Sequence, residues 1–211
     1  MKKKVETLEA ANIHGIFSTP IYRCNFSRPF THAEMDFIRK QHGECRLNIG
    51  NRSTKDNYIL NKKIFRSIKK ELELRLQDYL DKVIRAAPGV RPYITQSWIN
   101  YTSKGEYHHE HNHANSFISG VLYLTANKNV DRIYFQRTRS TIFSPPIETF
   151  NDWNSSSWWM PIHTATLIMF PSWLVHNVGR KEDDDLRVSL SFNSFIKGTL
   201  GAAASLTELK L

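Results

Sequence analysis

The sequence predicts an α+β fold in which helices brace one face of a β-sandwich or β-roll. Two observations carry this. Up to about residue 86, apolar residues recur at helical spacing, and after Pro92 the pattern changes to short β-rich runs. Helices first and strands second is the order of an α+β layout, not of alternating βαβ units.

Residues 1–30 read as extended. Phe17-Ser18-Thr19-Pro20-Ile21-Tyr22 is β-rich but broken by Pro20, which suits an edge strand. Thr31 with Glu34 three residues on forms a capping box, so a helix is expected from His32 to His42, ended by Gly43. Residues 43–58 are polar and irregular. Ile64, Ile68, Leu72, Leu76, Tyr79, Leu80 and Val83 mark a long amphipathic helix, with Asn57 or Asn61 as its cap and Pro88-Gly89 as its stop. Strands are expected at Tyr93–Tyr101, Ser119–Leu124, Arg132–Gln136, Thr166–Phe170 and Leu186–Phe195. The segment from Arg137 to Ile162, rich in Ser, Pro, Asn and Trp, reads as a long functional loop. Its Trp153, Trp158 and Trp159 are expected to anchor that loop to the core rather than form a lid. Trp98 and Trp173 are expected inside.

At 211 residues and 40% hydrophobic content, the chain suits one globular domain that needs no staples. Two cysteines, Cys24 and Cys45, make no disulfide framework and fit a reducing, cytoplasmic setting. Met1-Lys2-Lys3-Lys4 is not followed by an apolar run, which argues against a signal peptide, and no window reaches membrane-span length. The net charge of +9 admits an anionic partner. Its excess at Lys62-Lys63 and Arg66–Lys70 reads as a solvated surface, without a zinc-finger or RNA-recognition signature.

Chemistry concentrates in two islands. The first is His108-His109-Glu110-His111-Asn112-His113; the second runs Thr166–Phe170, then Pro171-Ser172-Trp173-Leu174-Val175-His176, then Arg187-Val188-Ser189. In a strand, residues i and i+2 share a face, so His111 and His113 can converge on one ion. His109 has the same parity, which makes His109/His111 a rival pair; His108/Glu110 on the other face is a second rival. His176 is the distant third ligand in each set. Imidazole suits Fe, Zn, Cu and Ni, and the common non-haem iron triad has a carboxylate as third ligand. The set of His111, His113 and His176 leads, and the others stay open. Arg187 is suited to bidentate carboxylate recognition, and Ser189 shares its parity. The competing reading of Arg187 is a surface ion pair with Asp183, Asp184 or Asp185.

At these islands the sequence resembles the 2-oxoglutarate and Fe(II)-dependent dioxygenase superfamily, with a pattern similar to a branch of oxygenases common in phage and marine bacterial genomes. The matching residues are Trp98-Ile99-Asn100, His111-Asn112-His113, Ser119-Gly120-Val121-Leu122-Tyr123, Phe170–His176 and Arg187–Asn193. Residues 95–195 carry the resemblance well and the N-terminal half loosely. It implies a double-stranded β-helix (jelly roll) in one oxygenase domain: residues 1–92 as an N-terminal strand and supporting helices, 93–198 as the jelly-roll core, 199–211 as a tail. It implies Fe(II) and 2-oxoglutarate as cofactors, with metal ligands His111, His113 and His176. Arg187 would bind the distal carboxylate, and Ser189, Asn100, Tyr101 and Tyr123 could assist. Dioxygen would be consumed, 2-oxoglutarate would yield succinate and carbon dioxide, and a C–H bond of a second substrate would be hydroxylated.

This sequence departs from the superfamily in two places. His-x-His stands where His-x-Asp/Glu is usual, and Thr164-Ala165 replaces an expected glycine. The rival functions are a zinc or all-histidine enzyme of other chemistry, and a non-catalytic binding module on the same fold. The prime substrate is not legible; the charge favours an anionic one. Edge strands and the long helix could support a homodimer.

Overall fold

The structure is a computed structural model and describes residues 11–138 and 145–211. Met1–Lys4 and part of the expected 137–162 loop lie outside the described residues. In chain order the strands and helices are β1 (Tyr22–Asn25), α1 (His32–His42), β2 (Arg46–Leu47), β3 (Arg52–Ser53), α2 (Arg66–Tyr79), β4 (Arg91–Thr102), β5 (His108–His111), β6 (Ile118–Thr125), β7 (Arg132–Gln136), β8 (Ser157–Pro161), β9 (Thr166–Pro171), β10 (His176–Val178), β11 (Arg187–Lys197), β12 (Thr199–Leu200) and β13 (Leu209–Lys210).

Eight of these strands, β4 to β11, divide equally between two antiparallel sheets. The larger has the order β1-β9-β6-β11-β4-β3-β2, and the smaller β5-β10-β7-β8. The chain passes repeatedly from one sheet to the other, which builds a double-stranded β-helix with α-helices on one outer face. The tail is not plain coil: β12 and β13 pair as a small separate ladder.

The capping box at α1 has the expected form. Thr31 Oγ1 accepts the Glu34 N–H at 3.2 Å, and a Glu34 carboxylate oxygen accepts the Thr31 N–H at 2.7 Å. The second helix differs at both ends. Its first turns are tight ones at Ile59–Asn61 and Lys63–Phe65, and no side chain caps it. Asn57 and Asn61 instead accept hydrogen bonds from Arg46 and Lys69. At its far end the helix widens over Leu80–Ile84, and Arg85 in the left-handed region ends it before Pro88. Ile68, Leu72, Leu76 and Tyr79 form its buried stripe, spaced four, four and three, as an amphipathic helix requires.

That stripe packs on the outer face of the larger sheet, against Ile99, Tyr101, Leu122, Leu167, Met169 and Leu190. Phe192 lies across Gly120 there: a Cβ on Gly120 would stand 2.2 Å from the ring, so only glycine fits beneath it. The inner face has its own smaller core of Tyr123, Ile133, Phe135, Ile162, Ile168, Phe170 and Leu174, drawn from both sheets. The long loop is shorter than expected because Ser157–Pro161 is a strand paired to β7. Trp153, Trp158 and Trp159 are each about half exposed, so they do not anchor a loop in the core. Trp159 instead lies under the Arg132 guanidinium at 4.8 Å. Trp173 is also exposed, contrary to expectation.

Candidate metal centre

The register of the larger sheet fixes what faces inward. On β4, β11 and β6, Trp98 is level with Ser191 and Val121, and Asn100 with Ser189 and Tyr123; Thr102 lies opposite Arg187. Opposed residues share a face. One row from Trp98 to Arg187, polar except at Trp98 and Val121, therefore faces inward, with Arg187 at its end and outside the cavity wall. Across the smaller sheet, His111, His176, Phe135 and Trp158 occupy one continuous row on adjacent strands. The two rows enclose a cavity that includes Trp98, Asn100, His108, Tyr123 and Ser189 in its wall. Trp98 is thus a wall residue, not a core one.

The structure brings His111, His113 and His176 together, with one ring nitrogen from each within 4.8 Å of the others. The His111 and His176 ring centres are 4.4 Å apart, and those of His111 and His113 are 4.8 Å apart. His113 lies just past β5, held by its N–H to the Ser172 carbonyl at 3.0 Å. Burial, together with the neighbouring rings, pushes His176 down to about 3 and His113 to about 4. Burial lowers His111 as well. All three are therefore neutral near pH 7, the form that binds metal. In two of them the free nitrogen is also fixed. His111 Nδ1 is 2.8 Å from the His109 carbonyl and His176 Nδ1 is 3.0 Å from the Leu174 carbonyl. Each carbonyl can only accept, so Nδ1 carries the proton and Nε2 presents its lone pair.

The rivals fare differently. Glu110 is exposed and belongs to neither group of converging ligands among the described residues, whereas His109 converges with His108 and His111. His108 and His111 both face the cavity although their parity is opposite. Between His176/His111 and Val178/His108, β5 advances three residues while β10 advances two. This bulge absorbs one residue and defeats strict alternation.

Among the co-substrate candidates, Asn100, Tyr123 and Ser189 line the cavity and Tyr101 does not. Tyr101 is one residue out of phase with Asn100; it points at the helices and donates to the Ile38 carbonyl at 2.6 Å. Asn100 Oδ1 and the Tyr123 hydroxyl are buried with no partner among the described residues. Each such group costs about 1–3 kcal/mol unless something in the cavity satisfies it. That deficit marks the cavity as built for a polar occupant.

Arg187 is only 4% exposed, and its ion pair is not with Asp183, Asp184 or Asp185. Its Nη1 donates to Asp131 Oδ1 at 2.9 Å, and Nη2 to the Gly179 carbonyl at 3.3 Å. Asp131, 1% exposed, also accepts the Asn127 N–H at 2.7 Å and faces the buried Lys181 ammonium at 3.5 Å. Asp183 pairs with Lys181 and Asp184 with Lys104. Sequence reasoning missed Asp131, which lies 56 positions from Arg187 in a turn with no motif around it.

Residues 96–193 match the model of a family described as "Putative 2OG-Fe(II) oxygenase". An oxidoreductase of the 2OG-Fe(II) oxygenase family from Burkholderia pseudomallei is similar in structure, with 13% identity, TM-score 0.55, and 82% of this chain and 83% of that one covered. HygX from Streptomyces hygroscopicus with nickel and 2-oxoglutarate bound gives 12%, 0.54, 83% and 82%. A Pseudomonas putida prolyl-4-hydroxylase gives 13%, 0.55, 83% and 93%. The structural likenesses show a shared fold. Fe(II) and 2-oxoglutarate are named in the description of the family that residues 96–193 match. No curated protein matches the chain. The donor set fits such an ion, since three neutral imidazoles suit Fe(II). It lacks the carboxylate of the usual iron triad. No helix among the described residues is long and apolar enough to cross a membrane.

Proposed function

We propose that this protein is a 2-oxoglutarate- and Fe(II)-dependent oxygenase that hydroxylates a second substrate, with His111, His113 and His176 as metal ligands. One observation carries the reading. Three neutral imidazoles converge beside a cavity with two orphaned polar groups, and an inward-facing arginine ends the same row. Bound iron would supply dioxygen activation coupled to decarboxylation of 2-oxoglutarate to succinate. The chain's own work is to bind, orient and exclude water. Ser189, Asn100 and the Tyr123 hydroxyl would hydrogen-bond the keto acid along its length. Arg187 would take its distal carboxylate, sharing its guanidinium with Asp131. The His-x-His and Ser-Gly-Val-x-Tyr motifs support the phage and marine bacterial branch. Two free cysteines suit a cytoplasmic setting. β1, at the outer end of the larger sheet, offers an edge for a homodimer.

The test is anaerobic titration with Fe(II) and 2-oxoglutarate, then succinate measurement after oxygen is admitted. One iron per chain is expected, reduced to none in His176→Ala and His113→Ala, with succinate formed only by the wild type. A second reading, a zinc enzyme of other chemistry, is favoured by the absence of a carboxylate from the triad. Tight zinc binding with no 2-oxoglutarate uptake in the presence of iron would establish that reading instead.

A further inference from the structure

The cavity contains a fourth imidazole that the ligand set does not use. His108, His109 and His111 also bring ring nitrogens within 4.8 Å of one another. A second ion there would need the His111 lone pair already aimed at His113 and His176. It would also need a lone pair on the cavity side of His108, and the surroundings of His108 deny it one.

Asn51 decides this. Its Nδ2 lies 3.2 Å from His108 Nδ1 and 3.3 Å from Thr102 Oγ1. Its Oδ1 is occupied by the Asn48 amide, which donates to it at 3.0 Å. The amide nitrogen of Asn51 therefore faces the ring, and His108 Nδ1 must accept. A neutral imidazole that accepts at Nδ1 carries its proton on Nε2.

The backbone around Asn51 is fixed for this task. The Asn48 N–H donates to the Asn51 carbonyl at 2.9 Å, and the Tyr107 N–H to the Gly50 carbonyl at 2.9 Å. Gly50 has φ +87°, and a Cβ there would stand 2.7 Å from the Tyr107 carbonyl oxygen. The β2–β3 hairpin thus locks Asn51 against the entrance of β5.

The position of His108 is equally informative. It is level with Val178 on β10, between the His111/His176 pair and Gly179, whose carbonyl accepts from Arg187. A keto diacid reaching from the imidazole triad to Arg187 would pass this ring, with Asn100 and Tyr123 on the other wall.

We propose that His108 is a hydrogen-bond donor to the bound keto acid, held in its Nε2–H form by Asn51, and not a metal ligand. This rests on the oxygenase reading above. His108 is a positioning residue: it withholds a lone pair from the ion and offers an N–H to a carboxylate oxygen.

Two measurements test it. Nitrogen-15 NMR of the metal-free full chain reads the His108 proton directly, with Nε2–H expected; an Nδ1–H ring would overturn the proposal whatever the ligand affinities. Anaerobic calorimetry then separates metal from co-substrate. In His108→Ala, Fe(II) affinity should stay within about twofold of wild type, while 2-oxoglutarate affinity should fall roughly tenfold or more, as loss of a hydrogen bond to a charged acceptor implies. His108→Gln, which returns an N–H donor, should recover most of that loss. Loss of iron in His108→Ala, of the kind expected for His113→Ala, would show a ligand and overturn the proposal. An unchanged 2-oxoglutarate affinity in both variants would overturn it alone, leaving the oxygenase reading intact. A wild type that takes up no 2-oxoglutarate would defeat both.

Discussion

Asp131→Asn is the most demanding perturbation of this site. The carboxylate is 1% exposed and serves Arg187, Lys181 and the Asn127 N–H together. Asparagine keeps the shape and one acceptor but removes the charge. Of the two buried cations, Lys181 at 2% exposure keeps Asp183, while Arg187 at 4% keeps no carboxylate among the described residues. Removing one partner of a buried ion pair costs about 3–5 kcal/mol. For a chain of this size each kcal/mol lowers Tm by about 2–4 °C, so a drop of roughly 6–20 °C is expected by calorimetry or circular dichroism. The same variant interrogates Arg187. With Asp131 neutralised, the guanidinium lacks its carboxylate, and a ligand carboxylate would restore it. Saturating 2-oxoglutarate with iron, without oxygen, should therefore raise the Tm of Asp131→Asn more than that of wild type. If Tm falls by less than about 2 °C, the network is not holding the fold. If the ligand-induced rise is equal in both proteins, Arg187 is not the carboxylate anchor.

Other outcomes follow from single contacts. The metal-free protein should lose stability as pH falls below about 6.5. His113 and His176 titrate near 4 and 3 when folded, so the unfolded chain takes up protons first. Each histidine should contribute a slope of about 1.4 kcal/mol per pH unit between 6.5 and its folded value, read by urea unfolding; a flat profile would refute the burial argument. Tyr101→Phe removes a buried hydrogen bond to Ile38 and should cost about 1 kcal/mol in chemical denaturation, leaving 2-oxoglutarate affinity unchanged. A weakened affinity would return Tyr101 to the site. Ala165 occupies the left-handed region at φ +71°, where a Cβ costs about 1–2 kcal/mol. Ala165→Gly should therefore be stabilising by about 1 kcal/mol despite glycine's greater unfolded-state freedom, seen as a higher urea midpoint.

Local chemistry made much of this architecture readable. Thr31 and Glu34 announce a helix start because both halves of the capping box lie within one turn. The stripe from Ile68 to Tyr79 announces a buried helix face, and long strands such as β4 and β11 carry enough alternation to be seen. Short strands do not. β5 and β10 have four and three residues, and β8 is hidden in polar and aromatic sequence; pairing partners, not composition, make them strands. The convergence of His111, His113 and His176 was suggested by type and spacing, but the parity rule behind it holds only for a regular ladder. The orientation of Tyr101 was within reach, since Asn100 and Tyr101 cannot face one side of one strand. Asp131 was not, because its role comes from charge burial between residues remote in sequence. At Thr164-Ala165, where the resemblance leads one to expect a glycine, Ala165 adopts the left-handed backbone conformation that a glycine would occupy without strain.

The extra residue in β5 has an evolutionary corollary. Deleting a single position there would let the ladder run true and rotate its imidazoles by half a turn about the strand axis. A one-codon loss could then exchange the inner and outer histidines, giving a relative of this protein a different donor set on an unchanged barrel.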